Sequence, residues 1–164
     1  MTQLSTLLPL KTVLLSGLAL WLCVVVLNNL TAFRSGVFSV GSLMAMQLFD
    51  ESPAIRSPLL SRRVTSKAWH RAVYGFVVAI ECVVAALLVR AAVAMVTVWI
   101  GLGDAGGATA CANVAIAGFV AMALIMLVGG AWFAYYIRQE STQITHFALI
   151  GLGIASGIIV NMTA

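Results

Sequence analysis

Three side chains of this sequence, His70, Tyr74 and Glu81, combine proton chemistry with helical spacing. They are separated by four and seven residues, so at about 100° per residue they share one stripe of an α-helix. The stripe predicts either a path for protons, with Glu81 as a relay or quinone-contacting carboxylate, or a set of structural polar groups. In the second interpretation Glu81 is a neutral carboxyl that is hydrogen-bonded to a neighbouring helix. The sequence shows no cation at the depth of Glu81, which favours the neutral carboxyl, but it does not exclude the proton path.

The two histidines, His70 and His146, are a second candidate pair. Two imidazoles on separate helices at one membrane face are enough to ligate a b-type haem, and Gly75 and Gly151 lie near enough to leave room for it. The alternative is that both are ordinary interfacial side chains. We expect no cofactor and keep haem b or a quinone as the alternative.

The sequence predicts no catalytic residue and no metal site. HExxH, GxSxG and CxxCH are absent, and the three cysteines, Cys23, Cys82 and Cys111, form no CxxC pair. The glycines near residue 101 lack the Lys-Ser/Thr ending of a phosphate-binding loop. These absences favour a non-enzymatic protein.

The composition indicates the class of protein in which these side chains are placed. Hydrophobic residues make up 62% of the 164 residues and charged residues 9%, whereas a soluble domain is about 25% charged. The mean hydropathy of +1.08 therefore predicts an integral membrane protein with a single membrane domain over residues 1–164. The net charge of +4 fits loops that orient a membrane protein better than it fits a nucleic-acid surface.

Four segments are long enough to cross a hydrocarbon core, which takes about 20 apolar residues. They lie at roughly 10–32, 72–92, 112–136 and 145–162, and the last is the shortest. The sequence thus predicts an all-α bundle of four transmembrane helices. Residues 91–108 either extend the second helix or form a re-entrant piece, with a flexible turn at 101–107.

A basic loop at 34–71 joins the first two predicted spans. Its first part, 37–49, is apolar but too short to span, so we expect it to be a short interfacial helix or to pack against the bundle. Pro53 and Pro58 then break any helix that would continue.

Lysine and arginine residues are divided unevenly between the two ends of this bundle. Lys11 and Arg90 fall at the end with the termini. Seven fall at the loop end: Arg34, Arg56, Arg62, Arg63, Lys67, Arg71 and Arg138. The positive-inside rule then puts the loop in the cytoplasm and both termini outside it. An aromatic belt is predicted at the loop end from Phe33, Trp69, Tyr74, Trp132, Phe133, Tyr135 and Tyr136.

Small residues in the last two predicted helices indicate close helix packing. Gly153 and Gly157 form a GxxxG pair, and Gly151 and Ala155 add another pair of small residues at the same spacing. Gly129-Gly130 in the third helix favours a close contact or a kink. Each such face suits packing inside the bundle and binding of a partner equally well.

Three stretches carry a family resemblance: Leu27-Asn28-Asn29-Leu30-Thr31, the segment from Trp69-His70 to Glu81, and Gly129-Gly130-Ala131-Trp132-Phe133-Ala134. On these the sequence resembles the predicted small integral membrane proteins of the domain of unknown function 2165 family. The resemblance implies a bacterial four-helix inner-membrane protein and no particular activity. The sequence departs from the family pattern at Ala131, where Glu is common, and at Ala32-Phe33, where Asp-Tyr is common.

The function expected from these features is that of an accessory or structural subunit of a larger inner-membrane complex, such as a respiratory one. Its partners would be the lipid bilayer and other membrane subunits or further copies of itself, and not nucleic acid. The alternative is a redox or proton-handling protein that uses His70, His146 and Glu81.

Overall fold

The structure is a computed structural model that describes residues 4–162, with side chains from residue 7 onward. Within that range every regular element is helical, which confirms the all-α prediction. The α-helices are α1 (Leu4–Thr31), α2 (Phe33–Met44), α3 (Lys67–Trp99), α4 (Ala105–Trp132) and α5 (Glu140–Asn161). Short 3-10 turns cover Gln47–Phe49, Pro58–Arg62 and Tyr135–Ile137.

Four of the helices are long and apolar enough to cross a membrane, as predicted. The candidate spans are Leu7–Thr31, Lys67–Trp99, Ala105–Trp132 and Glu140–Asn161. The shortest has 22 residues and is about 33 Å long at 1.5 Å per residue, which exceeds a hydrocarbon core of about 30 Å. It begins at Glu140 and not at the predicted residue 145.

Residues 91–108 contain the end of α3, a short turn and the start of α4. α3 continues without a break to Trp99, because residues 91–99 contain no glycine or proline, and Gly101 then takes a left-handed φ of +78°. The prediction of a flexible turn as far as Gly107 was wrong. Asp104 accepts hydrogen bonds from the backbone N–H groups of Gly106 and Gly107, at 3.1 and 2.7 Å, and so begins α4 at Ala105.

The long helices pack in chain order around one apolar core. α1 packs on α3, α3 on α4 and α4 on α5, while α1 also touches α5. Leu15, Leu22, Leu88 and Phe119 are almost wholly buried in this core. The Nζ of Lys11 donates to the carbonyl oxygen of Met162 at 2.9 Å, so the N-terminal part of α1 and the C-terminal end of α5 lie at the same end of the bundle.

The connection between α1 and α3 folds back on the other end of the bundle. α2 packs against α3 and begins at Phe33, earlier than predicted, with Ala32 breaking the helix between α1 and α2. The rest of the connection encloses a second small core of Met46, Phe49 and Ala134. An ion pair of 2.7 Å between Arg63 and Asp50 joins two parts of this connection.

The predicted aromatic belt at this end is correct for some members and wrong for others. Trp69, Trp132 and Tyr136 are 62%, 57% and 43% exposed, as an interfacial belt requires. Tyr74 and Tyr135 are only 7% and 2% exposed. Those two rings lie inside the helix packing because glycines opposite them leave room.

Candidate functional site

Glu81 is the one carboxylate in the buried part of the described chain. It lies 14 residues after Lys67 and 18 before Trp99, about 21 Å and 27 Å of helix from the two ends of α3. Its side chain is only 6% exposed, and its Oε2 accepts a hydrogen bond of 2.7 Å from the Nδ2 of Asn29 on α1. The carboxyl is therefore held between two helices by a neutral donor.

Tyr74 extends this cluster toward the loop end of the bundle. Its hydroxyl donates to the backbone carbonyl of Asn29 at 3.4 Å, and its ring packs on Phe33 with 5.0 Å between centroids. Gly36 on α2 faces the tyrosine ring so closely that an added Cβ would overlap it. α1, α2 and α3 thus meet at Tyr74, and Asn29 is the residue that joins it to Glu81.

His70 lies on the same stripe but is engaged elsewhere. Its Nε2 lies 2.8 Å from the carbonyl oxygen of Val64, and since a carbonyl only accepts, Nε2 carries the proton. The other side of the ring lies against Gly41, where an added Cβ would be 2.5 Å from Nδ1. Among the described residues no hydrogen bond joins His70 to Tyr74, so this histidine fixes the loop and α2 against α3.

His146 belongs to a separate pair at the start of α5. Its Nδ1 shares a hydrogen bond of 3.2 Å with the hydroxyl of Tyr135, and the two rings stack at 5.8 Å and 27°. Burial raises the pKa of the Tyr135 phenol, which lies in the turn between α4 and α5. Gly130 leaves the space that the tyrosine ring fills, since a Cβ there would overlap it.

The structure does not bring the two histidines into one group. His70 is on α3 and His146 is on α5, with α4 packed between those helices. The Nε2 of His70 already donates to the chain, so a haem iron would have to displace that bond. Gly75 faces Phe33 at 3.9 Å and Gly151 faces open space, so neither lines a space shared by the two imidazoles.

The glycines of the last two spans divide into inward and outward positions. Gly153 is buried against Val120, with 2.5 Å from an added Cβ to the Cγ2 of Val120, and Gly157 faces Ile116. Gly130 holds Tyr135, as described. Gly129 and Gly151 are exposed, with nothing within 4 Å of an added Cβ.

Comparison with known proteins assigns the chain to a family. One family profile, described as predicted small integral membrane protein (DUF2165), matches residues 7–163, nearly the whole chain. The chain belongs to that family. No curated protein and no solved structure matched the sequence.

Two residues of this DUF2165 protein have partners that the sequence did not reveal. Asn29, the partner of Glu81, stands two residues before Thr31, the last residue of α1, and its position suggests only a helix-end residue. Tyr135 reads as a belt residue, yet it is buried against His146. The available signal for Asn29 is an amide inside an apolar helix, which calls for a hydrogen-bond partner on a neighbouring helix.

Proposed function

We propose that this chain is a non-enzymatic accessory subunit that docks on a larger inner-membrane assembly, such as a respiratory complex, through the outer face of α5. The observation that carries the proposal is the orientation of the two small-residue pairs of that helix. Gly153 and Gly157 face α4, whereas Gly151 and Ala155 face outward. Ala148, one turn before Gly151, is also exposed.

The helix that carries this outward face is also the least covered of the four spans. Residues buried within the protein make up 17% of the most apolar window of α5, against 28–33% in the other three spans. In lipid, apolar surface alone does not drive helix association, and close backbone approach over small residues does. An outward pair of small residues on a poorly covered helix therefore suits a partner helix better than it suits acyl chains.

The contacts of the three titratable side chains discussed above support a structural role for this protein. Glu81, His70 and His146 each have a hydrogen-bond partner within the chain. Each of these bonds joins two helices or a helix and a loop. Groups used in this way stabilise the bundle and need no substrate to explain them.

The docking proposal is tested by purifying the tagged protein from its native membrane in mild detergent and identifying stoichiometric partners by mass spectrometry. We expect a partner chain that is lost in the double variant Gly151→Leu with Ala155→Leu. The matched control is Ala72→Leu with Ala79→Leu, two exposed alanines on α3, which should retain it. A monodisperse protein without a partner, or a partner retained by the α5 variant, would contradict the proposal.

We also propose that the loop end lies in the cytoplasm of a bacterial cell, with both termini on the other side. Seven of the nine basic residues lie at the loop end, which supports this orientation under the positive-inside rule. A phosphatase reporter that is active only outside the cytoplasm should be active when fused to the C-terminus. Activity of the same reporter inserted after Arg56 would show that the loop lies outside the cytoplasm and would contradict the proposed orientation.

A second candidate function is favoured by one observation, the neutral surroundings of Glu81. A carboxyl bound by an amide can exchange a proton without breaking an ion pair, and a carboxyl inside a membrane segment is a candidate for a proton pathway. Proton uptake by vesicles that contain the wild type but not Glu81→Gln would favour this function. An optical spectrum tests the haem version, since a b-type haem gives a Soret band that His70→Phe or His146→Phe should abolish.

A further inference from the structure

A basic cavity opens at the loop end of the bundle, between α2 and the first turn of α3. Its volume is about 500 Å³. Three of its lining residues are cationic, namely Arg34, Lys67 and Arg71, and His70 forms part of the wall. None of the described residues that line it is acidic. The cavity is thus a concave site with a net positive charge.

The cations of this cavity differ from other basic residues at the same end. Arg63 pairs with Asp50, Arg62 donates to the carbonyl of Trp132, and Arg138 donates to the carbonyl of Pro53. Arg62 and Arg138 thus fix the loop to the bundle, and Arg63 joins two parts of the loop. The side chains of the three cavity cations form no hydrogen bond or ion pair within the described part of the chain. These residues, Arg34, Lys67 and Arg71, are all exposed. Their charges remain available to an anion.

The start of α3 adds a favourable field to this site. Lys67 is the first residue of a 33-residue helix, and the side chain of Ser66 makes no capping hydrogen bond. The first N–H groups of a helix have no acceptor within it and carry a partial positive charge. Thr65, Lys67 and His70 all line the cavity, so this helix end forms part of its wall.

The remaining walls and the position of the cavity favour a lipid over a soluble anion. Val37, Phe38 and Ala45 form an apolar side next to the cations. Phe38 and Trp69 are 70% and 62% exposed, as expected for side chains at the membrane–water interface. A molecule with a phosphate and a glyceryl-acyl part would satisfy both sides of the cavity at that level.

We propose that this cavity binds the phosphate headgroup of an anionic phospholipid, with Arg34, Lys67 and Arg71 as its ligands. Basic pockets between membrane helices are suited to such headgroups, and each nearby cation contributes about 1 kcal/mol, or roughly five-fold in affinity. Removal of two cations should therefore weaken binding roughly 30-fold. The site is distant in sequence from the outward face of α5 and does not depend on the docking proposal.

The test is native mass spectrometry of the detergent-purified full chain with equimolar phosphatidylglycerol and phosphatidylcholine. We expect the wild type to retain phosphatidylglycerol preferentially and Arg34→Gln with Arg71→Gln to lose that preference. The matched control, Arg56→Gln with Arg90→Gln, removes the same charge from exposed arginines outside the cavity and should retain it. Lys67→Gln, a single change at an exposed helix start, should lose about five-fold and covers the case in which the double variant does not fold.

Two kinds of result would overturn the assignment. Equal retention of both lipids by the wild type, or unchanged preference in Lys67→Gln and the folded double variant, would show that these cations do not select a lipid. Displacement of phosphatidylglycerol by millimolar inorganic phosphate would identify a site for the free anion. Retention of the lipid in excess phosphate supports the lipid headgroup.

Discussion

Removal of the Asn29 amide should destabilise the bundle, because it leaves the carboxyl of Glu81 without its donor. The bond is short at 2.7 Å, and Glu81 is 6% exposed, so water is a poor substitute. Hydrogen bonds between membrane helices contribute about 0.6 kcal/mol on average and up to about 1.7. A buried acceptor that loses its partner costs about 1–3 kcal/mol. We therefore expect Asn29→Ala to lower the free energy of unfolding by about 1.5 kcal/mol.

The pairwise part is measured with a double-mutant cycle of Asn29→Ala and Glu81→Ala, followed by tryptophan fluorescence during denaturation in mixed micelles. We expect a coupling energy of about 1 kcal/mol, within the range for membrane helices. Asn28→Ala is the matched control, since Asn28 is the exposed neighbour of Asn29 and should change stability little. Glu81→Gln should also be mild, because its amide oxygen still accepts from Asn29.

The size of the coupling decides between two physical accounts. A value near 0.6–1.7 kcal/mol fits a neutral carboxyl hydrogen-bonded between helices, whereas a value of about 3 kcal/mol fits a charged acceptor. A coupling below about 0.3 kcal/mol, or equal effects of Asn29→Ala and Asn28→Ala, would refute the claim that this bond joins α1 to α3.

Three further predictions concern packing, capping and the second polar pair, and each is measured as a change in thermal or denaturant stability in detergent. Gly153→Ala should destabilise by about 1–3 kcal/mol because the new Cβ meets Val120, whereas Gly151→Ala should be neutral or stabilising by up to about 1 kcal/mol; equal effects would contradict the inward and outward assignment. Asp104→Ala should cost about 0.5–2 kcal/mol through loss of the α4 cap, and Asp104→Asn much less; similar losses in both would rule out capping. Tyr135→Phe should cost about 0.5–1.5 kcal/mol through loss of its hydrogen bond to the α5 histidine, and an unchanged stability would show that the pair contributes nothing.

The four spans were predictable because they depend on local composition. A segment of about 20 apolar residues prefers lipid whatever lies beside it, and a short apolar run such as 37–49 fails the same length criterion. The ends of the helices were less predictable. α3 continues beyond the predicted end at residue 92 because only Gly101 interrupts it, and α4 starts early because one aspartate caps it.

The polar contacts were less predictable, because they join residues far apart in the chain. Periodicity placed His70, Tyr74 and Glu81 on one stripe, but the structure gives them different partners. Glu81 and Tyr74 both bond to Asn29, more than 40 residues away, while His70 bonds to the nearby loop. Spacing within one helix cannot specify which residue of another helix stands opposite.

Hydrophobicity and charge along contiguous segments are enough to predict the membrane class, the number of spans and the distribution of basic charge between the two ends. Which small residues face inward, which polar groups pair, and which cations remain free around a cavity become visible only when the helices are packed. Those properties depend on the rotation of each helix about its axis and on its neighbours. Packing between helices sets both, and no contiguous segment encodes them.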